Sequence, residues 1–128
     1  MKFLIVEDNA DLRLNIQDAL ELLGHTAIHA ENGLEALNCL SDRESRPDII
    51  LCDLSMPILD GLQFIEFARN EAMSDIPILV ITGDDQDIRR ENSLKLGANA
   101  LLAKPFTLTE LIETAEALLE QYHKGKTD

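Results

Sequence analysis

The chain has 128 residues and a mass of 14.3 kDa, and 45% of its residues are hydrophobic, so it forms one core-bearing domain and is not disordered as a whole. Lys and Arg number 11 against 24 Asp and Glu, a formal net charge of −13, which argues against a surface for nucleic acid or anionic membrane, since phosphates need clustered Lys and Arg. There is no apolar run near the ~20 residues of a membrane span, no signal-peptide core or cleavage site, and no ligand spacing around Cys39 and Cys52, so a cytoplasmic chain with reduced core cysteines is expected.

In chain order, Phe3-Leu4-Ile5-Val6 is a continuous β-branched run, the pattern of a strand buried on both faces of a parallel sheet. Leu12, Ile16, Ala19, Leu20 and Leu23 follow at helical spacing, with Gly24 as a stop. Residues 27–30 form a weaker strand, and Asn32-Gly33 opens a short helix through Ala36, Leu37 and Leu40. Ile49-Ile50-Leu51-Cys52 is a third strand. Residues 61–70 are helical with Leu62, Ile65 and Ala68 inward, and Asp60 with Gln63 forms an N-terminal capping box. Ile78-Leu79-Val80-Ile81 is a fourth strand.

A helix over residues 84–96 is thin in apolar side chains (Ile88, Leu94, Leu96), which predicts the least firmly docked helix. Residues 100–103 form the fifth strand. Thr107 and Glu110 make a second capping box before a strong helix through Tyr122, and residues 123–128 form a polar tail. Five βα units imply an α/β fold, a doubly wound parallel sheet with helices on both faces. Ligands in such folds sit at the carboxyl ends of the strands.

Those ends carry Glu7 and Asp8, then Asp53, Thr82 and Lys104. Three clustered acids repel one another, so the site invites a hard divalent cation with oxygen ligands; magnesium suits a shallow site because it keeps several waters. Such a cation draws a phosphoryl group, for which Lys104 and Thr82 supply charge and a hydrogen bond. Taken singly, each residue has a plainer role. Glu7, Asp8 and Asn9 fit a helix cap, Thr82 a strand-end hydroxyl, and Lys104 a solvated charge. Asp53 is harder to dismiss, since a lone carboxylate ending an apolar strand is desolvated without visible gain. His25, His29 and His123 have no metal spacing and receive no role.

The set Glu7-Asp8, Asp53-x-x-Met56-Pro57-x-x-Asp60-Gly61, Thr82 and Lys104-Pro105-Phe106 resembles the receiver domains of two-component response regulators, including single-domain chemotaxis regulators, across essentially the whole chain. The resemblance implies a flavodoxin-like sheet of five strands in order 2-1-3-4-5 with five helices, and a receiver over residues 1–122. It implies that Asp53 accepts a phosphoryl group and that Asp8 is the principal acidic ligand of Mg²⁺. Glu7 acts beside it, usually through water, and Asp53 and the Ser55 backbone carbonyl complete the ligands. Thr82 binds the phosphoryl group and moves on activation. Lys104 pairs with Asp53 and then with the phosphate, and the peptide before Pro105 is commonly cis.

The resemblance also implies that Ser55 and Asp84 occupy positions that border the phosphate and tune hydrolysis; the plainer role is solvent exposure, with Asp84 or Asp85 capping the next helix. The implied donor is a phosphohistidine on a histidine kinase or phosphotransfer protein. The output is a switched protein-interaction surface over residues 84–122, with self-phosphorylation and autodephosphorylation as the only chemistry. Two positions depart from the family pattern. Leu101 replaces the frequent Tyr or Phe of the switch, and Gly83 replaces Ala, which frees that loop's backbone. The chain ends shortly after its last helix, so a stand-alone receiver is expected.

A magnesium-dependent phosphohydrolase with an aspartyl nucleophile is the main alternative, although Ser55 stands where such enzymes carry a second, proton-transferring Asp. An unphosphorylated pseudo-receiver acting as a docking module is the other.

Overall fold

The computed structural model describes residues 1–72, 74–83 and 87–126. Strands β1 (Lys2–Val6), β3 (Ile49–Cys52) and β4 (Ile78–Thr82) are the long apolar runs, and they take the centre of the sheet, where helices cover both faces. The less apolar β2 (Thr26–Ala30) and β5 (Ala100–Ala103) take the edges. All pairings are parallel, in the order β2-β1-β3-β4-β5, as the family resemblance implied.

The helices are α1 (Ala10–Leu22), α2 (Gly33–Ser41), α3 (Gly61–Asn70), α4 (Asp87–Leu96) and α5 (Leu108–Lys126). Strand alternation divides the core in two. Leu4, Val6, Ile50, Cys52, Ile78 and Val80 pack with Phe64, Ile65 and Ala68 of α3. Phe3, Ile5, Ile49, Leu51, Leu79 and Ile81 face Ile16 and Leu20 of α1 and Leu111, Ile112, Ala115 and Leu119 of α5. Each such buried side chain contributes about 1.5–3 kcal/mol, so the sheet is a stiff platform for whatever its ends carry.

Helix ends follow local chemistry. The Asn9 side chain accepts from the Leu12 N–H, and the Asn32 side chain from that of Glu35. At α3 the reciprocal Asp60–Gln63 box is complete. At α5 the second box forms only in part: Thr107 Oγ1 accepts from the Glu110 N–H at 3.0 Å, while the Glu110 carboxylate meets the Thr107 hydroxyl at 3.3 Å. Gly24 and Gly97, which end α1 and α4, have φ of 86° and 127°, where side-chain-bearing residues are strained.

Four features differ from the sequence reading. Leu23 is 57% exposed, because α1 ends at Leu22 before that position turns inward. Phe64 is fully buried beside Ile65, since the inward stripe of α3 is wider than Leu62, Ile65 and Ala68. A 3₁₀ turn, Arg43–Ser45, precedes β3, started by the Asp42 side chain accepting from the Glu44 N–H. The last helix continues to Lys126, into the segment read as a polar tail.

Helix α4 is as thinly docked as expected: Ile88 and Leu94 are exposed, and its buried residue is Ser93. Residues 84–86, the expected start of that helix, lie outside the described residues. Among the described residues no helix is long and apolar enough to cross a membrane.

Candidate functional site

Register builds the site. Val6 pairs with Cys52, and Cys52 with Val80, so the next residues of β1 and β3, Glu7 and Asp53, stand side by side at one edge. The ladder continues just past the strand ends, with the Asp53 N–H donating to the Val6 carbonyl at 3.0 Å and the Glu7 N–H to that of Ala30 at 3.1 Å. Thr82 ends β4 at the same edge, one residue past the row of Asp53, and pairs with Ala103, and its carbonyl accepts the Lys104 N–H at 2.8 Å. Residues that are distant in sequence thus meet because the strands carrying them are neighbours in one sheet.

At the centre lies the Lys104 ammonium. It donates to Glu7 Oε1 at 2.7 Å and to Asp53 Oδ2 at 3.3 Å. The Glu7 and Asp53 side chains are only 1% and 7% exposed, so both charges sit where water screens them poorly. Burial works to lower the pKa of Lys104, but its hydrogen bond to Glu7 and the charge of Asp53 outweigh that and hold the ammonium above the usual lysine range.

The other oxygen of Asp53, Oδ1, accepts the Leu54 N–H at 2.8 Å and faces the Ser55 N–H at 3.5 Å. The aspartate is therefore fixed through one oxygen by backbone and through the other by Lys104. Asp8 is exposed at the rim, and its carboxyl is raised above the ordinary range, by desolvation first and then by Glu7, whose side chain bonds to it and repels its charge.

Carboxylate oxygens of Glu7, Asp8 and Asp53 lie within 4.8 Å of one another. Three hard oxygen donors around one point, two buried and one at a solvent-facing rim, fit a divalent cation that retains waters. Thr82 is 1% exposed at the same edge, and Ser55 is exposed on the loop after Asp53. Gly83 takes no left-handed φ, and a Cβ there would meet Lys104 Cβ and Cδ at 3.7 Å, an ordinary contact, so alanine would fit. Leu101 is half-buried against the α3-side core, and the Lys104-Pro105 peptide is cis. Asp84 lies outside the described residues.

Five local features of this end of the sheet were not anticipated from sequence. Among the described residues Glu7 is the deepest acid and the nearest carboxylate to the Lys104 ammonium. Which of two adjacent acids turns inward depends on register just past the strand end, and composition carries no sign of it. Arg13, 8% exposed, donates to the Glu7 carbonyl at 2.7 Å and lies 3.5 Å from Glu31.

At Gly61 an added Cβ would fall on the Asp53 carbonyl oxygen, so the glycine lets α3 start against the aspartate's own backbone. Arg89 of α4 donates to the Leu54 carbonyl at 3.2 Å. Beneath the site the Cys52 thiol donates to the Asp53 carbonyl at 3.2 Å. Complete burial, then the charges of Asp53, Glu7 and Asp60, push its pKa well up, so it is inert as a nucleophile.

The family model of the response regulator receiver domain matches residues 3–116. Among curated proteins, the chain is 36% identical over 121 residues to the response regulator MprA of Mycobacterium sp. (strain KMS), covering 94% of this chain and 51% of the relative. It is 36% identical over 127 residues to the transcriptional regulatory protein PrrA of Mycobacterium tuberculosis, covering 98% and 52%. The chain thus spans about half the length of the curated relatives it matches.

Among solved structures, a Francisella response regulator receiver domain superposes with a TM-score of 0.85 at 27% identity, covering 94% of this chain and 98% of that one. The chemotaxis protein CheY4 of Vibrio cholerae superposes with a TM-score of 0.81 at 28% identity, covering 91% and 97%. A CheY-like receiver from Methanospirillum hungatei, at 23% identity, shares the fold with a TM-score of 0.90 over 97% of both chains.

Proposed function

Because the chain belongs to the response regulator receiver domain family, we propose that Asp53 accepts a phosphoryl group from a phosphohistidine on a histidine kinase or histidine phosphotransfer protein. The observation that carries this reading is the Lys104 ammonium, held between buried Glu7 and Asp53 at 2.7 and 3.3 Å with Asp8 beside them. Glu7, Asp8 and Asp53, with the Ser55 backbone carbonyl, would hold Mg²⁺. When bound, the ion supplies positive charge that offsets repulsion between the carboxylate and the incoming phosphoryl oxygens.

An aspartate carboxylate carries its own negative charge and attacks without a general base. Backbone N–H groups hold Oδ1, so Oδ2 is the oxygen placed to attack. The Oδ2–P bond forms, the donor's P–N bond breaks, and the electron pair stays on the imidazole nitrogen. The transition state is loose and spreads charge over the phosphoryl oxygens, so positioning and fixed charge do most of the catalysis. Lys104 exchanges its Asp53 bond for a phosphoryl oxygen, and the Thr82 hydroxyl donates to another. Both changes sit at the base of the β4–α4 and β5–α5 loops, and residues 84–122 beyond them form the surface that a downstream protein reads. By the family pattern, Ser55 and Asp84 tune the hydrolysis of the product.

Incubation with phosphoramidate and magnesium, followed by intact mass, tests the reading. One phosphoryl adduct is expected in wild type, with none in Asp53→Asn and none without magnesium. A wild-type chain that takes no phosphate would leave a docking module, and steady turnover of a phosphate ester would indicate the phosphohydrolase.

A further inference from the structure

We propose that Arg89 is a positioning residue for phosphoryl transfer at Asp53, acting through the peptide group between Leu54 and Ser55; this rests on Asp53 being the phosphoacceptor. Arg89 lies 35 residues further along the chain, in the first turn of α4, and its Nη2 donates to the Leu54 carbonyl at 3.2 Å. That carbonyl and the Ser55 N–H belong to one planar peptide unit. On its far side the Ser55 N–H faces Asp53 Oδ1 at 3.5 Å, and the Leu54 N–H donates to the same oxygen at 2.8 Å. Guanidinium, peptide and carboxylate therefore form one chain, with each dipole aligned head to tail.

Two observations separate this contact from simple hydrogen-bond satisfaction. The Leu54 carbonyl already accepts the Gly61 N–H at 2.9 Å, so Arg89 is not needed to satisfy it. Leu54 is fully buried, so a cation on its carbonyl acts in a poorly screened place. A charged donor on the oxygen polarises the amide and makes the N–H at its other end a stronger donor. In this chain that N–H points at the oxygen of Asp53 that does not attack. Arg89 thereby holds Oδ1 in place, leaves Oδ2 to Lys104 and the phosphoryl group, and steadies the turn that carries the Ser55 carbonyl. The plainer role is to pin α4 to the sheet, since that helix buries little besides Ser93.

The test compares phosphorylation rates from phosphoramidate with magnesium in wild type, Arg89→Met, Arg89→Lys and Arg90→Met, at low and high salt, with the Ser55 amide proton shift read by NMR. We expect Arg89→Met to be slowed roughly ten-fold, the scale seen when a group orienting a metal or catalytic ligand is lost. The Ser55 amide proton should move upfield, Arg89→Lys should recover part of both effects, and the slowing should persist at high salt. Arg90→Met, which removes the same charge one position along, should stay within about two-fold of wild type at low salt and match it at high salt.

Wild-type kinetics in Arg89→Met, with faster amide exchange in α4, would reduce the residue to a pin and overturn the proposal. Equal slowing in Arg89→Met and Arg90→Met that vanishes at high salt would reduce it to a diffuse field. If wild type takes no phosphoryl group at all, the phosphoacceptor reading fails first, and the two failures are told apart by that wild-type control.

Discussion

Lys104 is the hinge of the site's electrostatics, because among the described residues it is the one cation bonded to both buried carboxylates. Removing it leaves Glu7 buried without its partner, so Lys104→Met should lower unfolding stability by about 2 kcal/mol in metal-free buffer, measured by urea denaturation. A lysine held above its unfolded value contributes fully below about pH 10.4 and loses that contribution as pH rises through the folded value. The difference between wild type and Lys104→Met should therefore be constant near neutrality and shrink only in strong alkali.

At this scale the sequence was informative about residue type and silent about orientation. Asp53 stood out because a carboxylate ends an apolar run, whereas Lys104, alone a solvated charge, gained weight only from the set of residues at the strand ends. Glu7 and Asp8 are adjacent acids, and only the strand register decides that Glu7 is the one buried against Lys104. Arg89 escaped for a different reason: it contacts a backbone carbonyl, and carbonyls leave no mark in a sequence.

Among the elements, α3 and α4 are the instructive contrast. Helix α3 was readable to both ends because its chemistry is local: an Asp60–Gln63 box at the start and an apolar stripe behind it. Asp60→Ala should cost about 1 kcal/mol, seen as a lower urea midpoint at unchanged slope. Helix α4 has little apolar surface to announce a buried face; Arg89 ties it to the Leu54 carbonyl, while the buried Ser93 hydroxyl bonds inside the helix, to the Arg90 carbonyl. Native-state amide exchange should therefore find α4 the least protected helix among the described residues, ahead of α3 and α5. Protection in α4 equal to that in α3 would show that polar attachment suffices to dock it. The 3₁₀ turn at Arg43–Ser45 was invisible because it rests on a single side-chain cap in a polar stretch.

For the whole molecule, the sheet turns an unfavourable arrangement into a usable one. Three carboxylates gather in a chain that already carries a net charge of −13, and the buried core fixes them there. A carboxyl whose pKa is higher folded than unfolded keeps its proton longer in the native state. The Asp8 contribution to stability therefore falls as pH rises from the ordinary carboxylate range through its raised folded value, and at neutral pH it is a net strain.

Asp8→Asn should consequently melt higher than wild type without metal, while the stabilisation by Mg²⁺, about 2.7 kcal/mol at a hundred times Kd, should disappear. Differential scanning calorimetry with and without magnesium reads both effects, and an undiminished magnesium shift in Asp8→Asn would remove Asp8 from the ligand set. Strand order followed from the family resemblance, because periodicity marks strands without ordering them.

The most direct test of the central claim, that this edge of the sheet places a phosphoryl group on Asp53, is borohydride trapping. After incubation with phosphoramidate and magnesium, reduction should convert Asp53 alone to homoserine, identified by peptide mass. Homoserine at another aspartate, or none in a folded chain, would contradict the account.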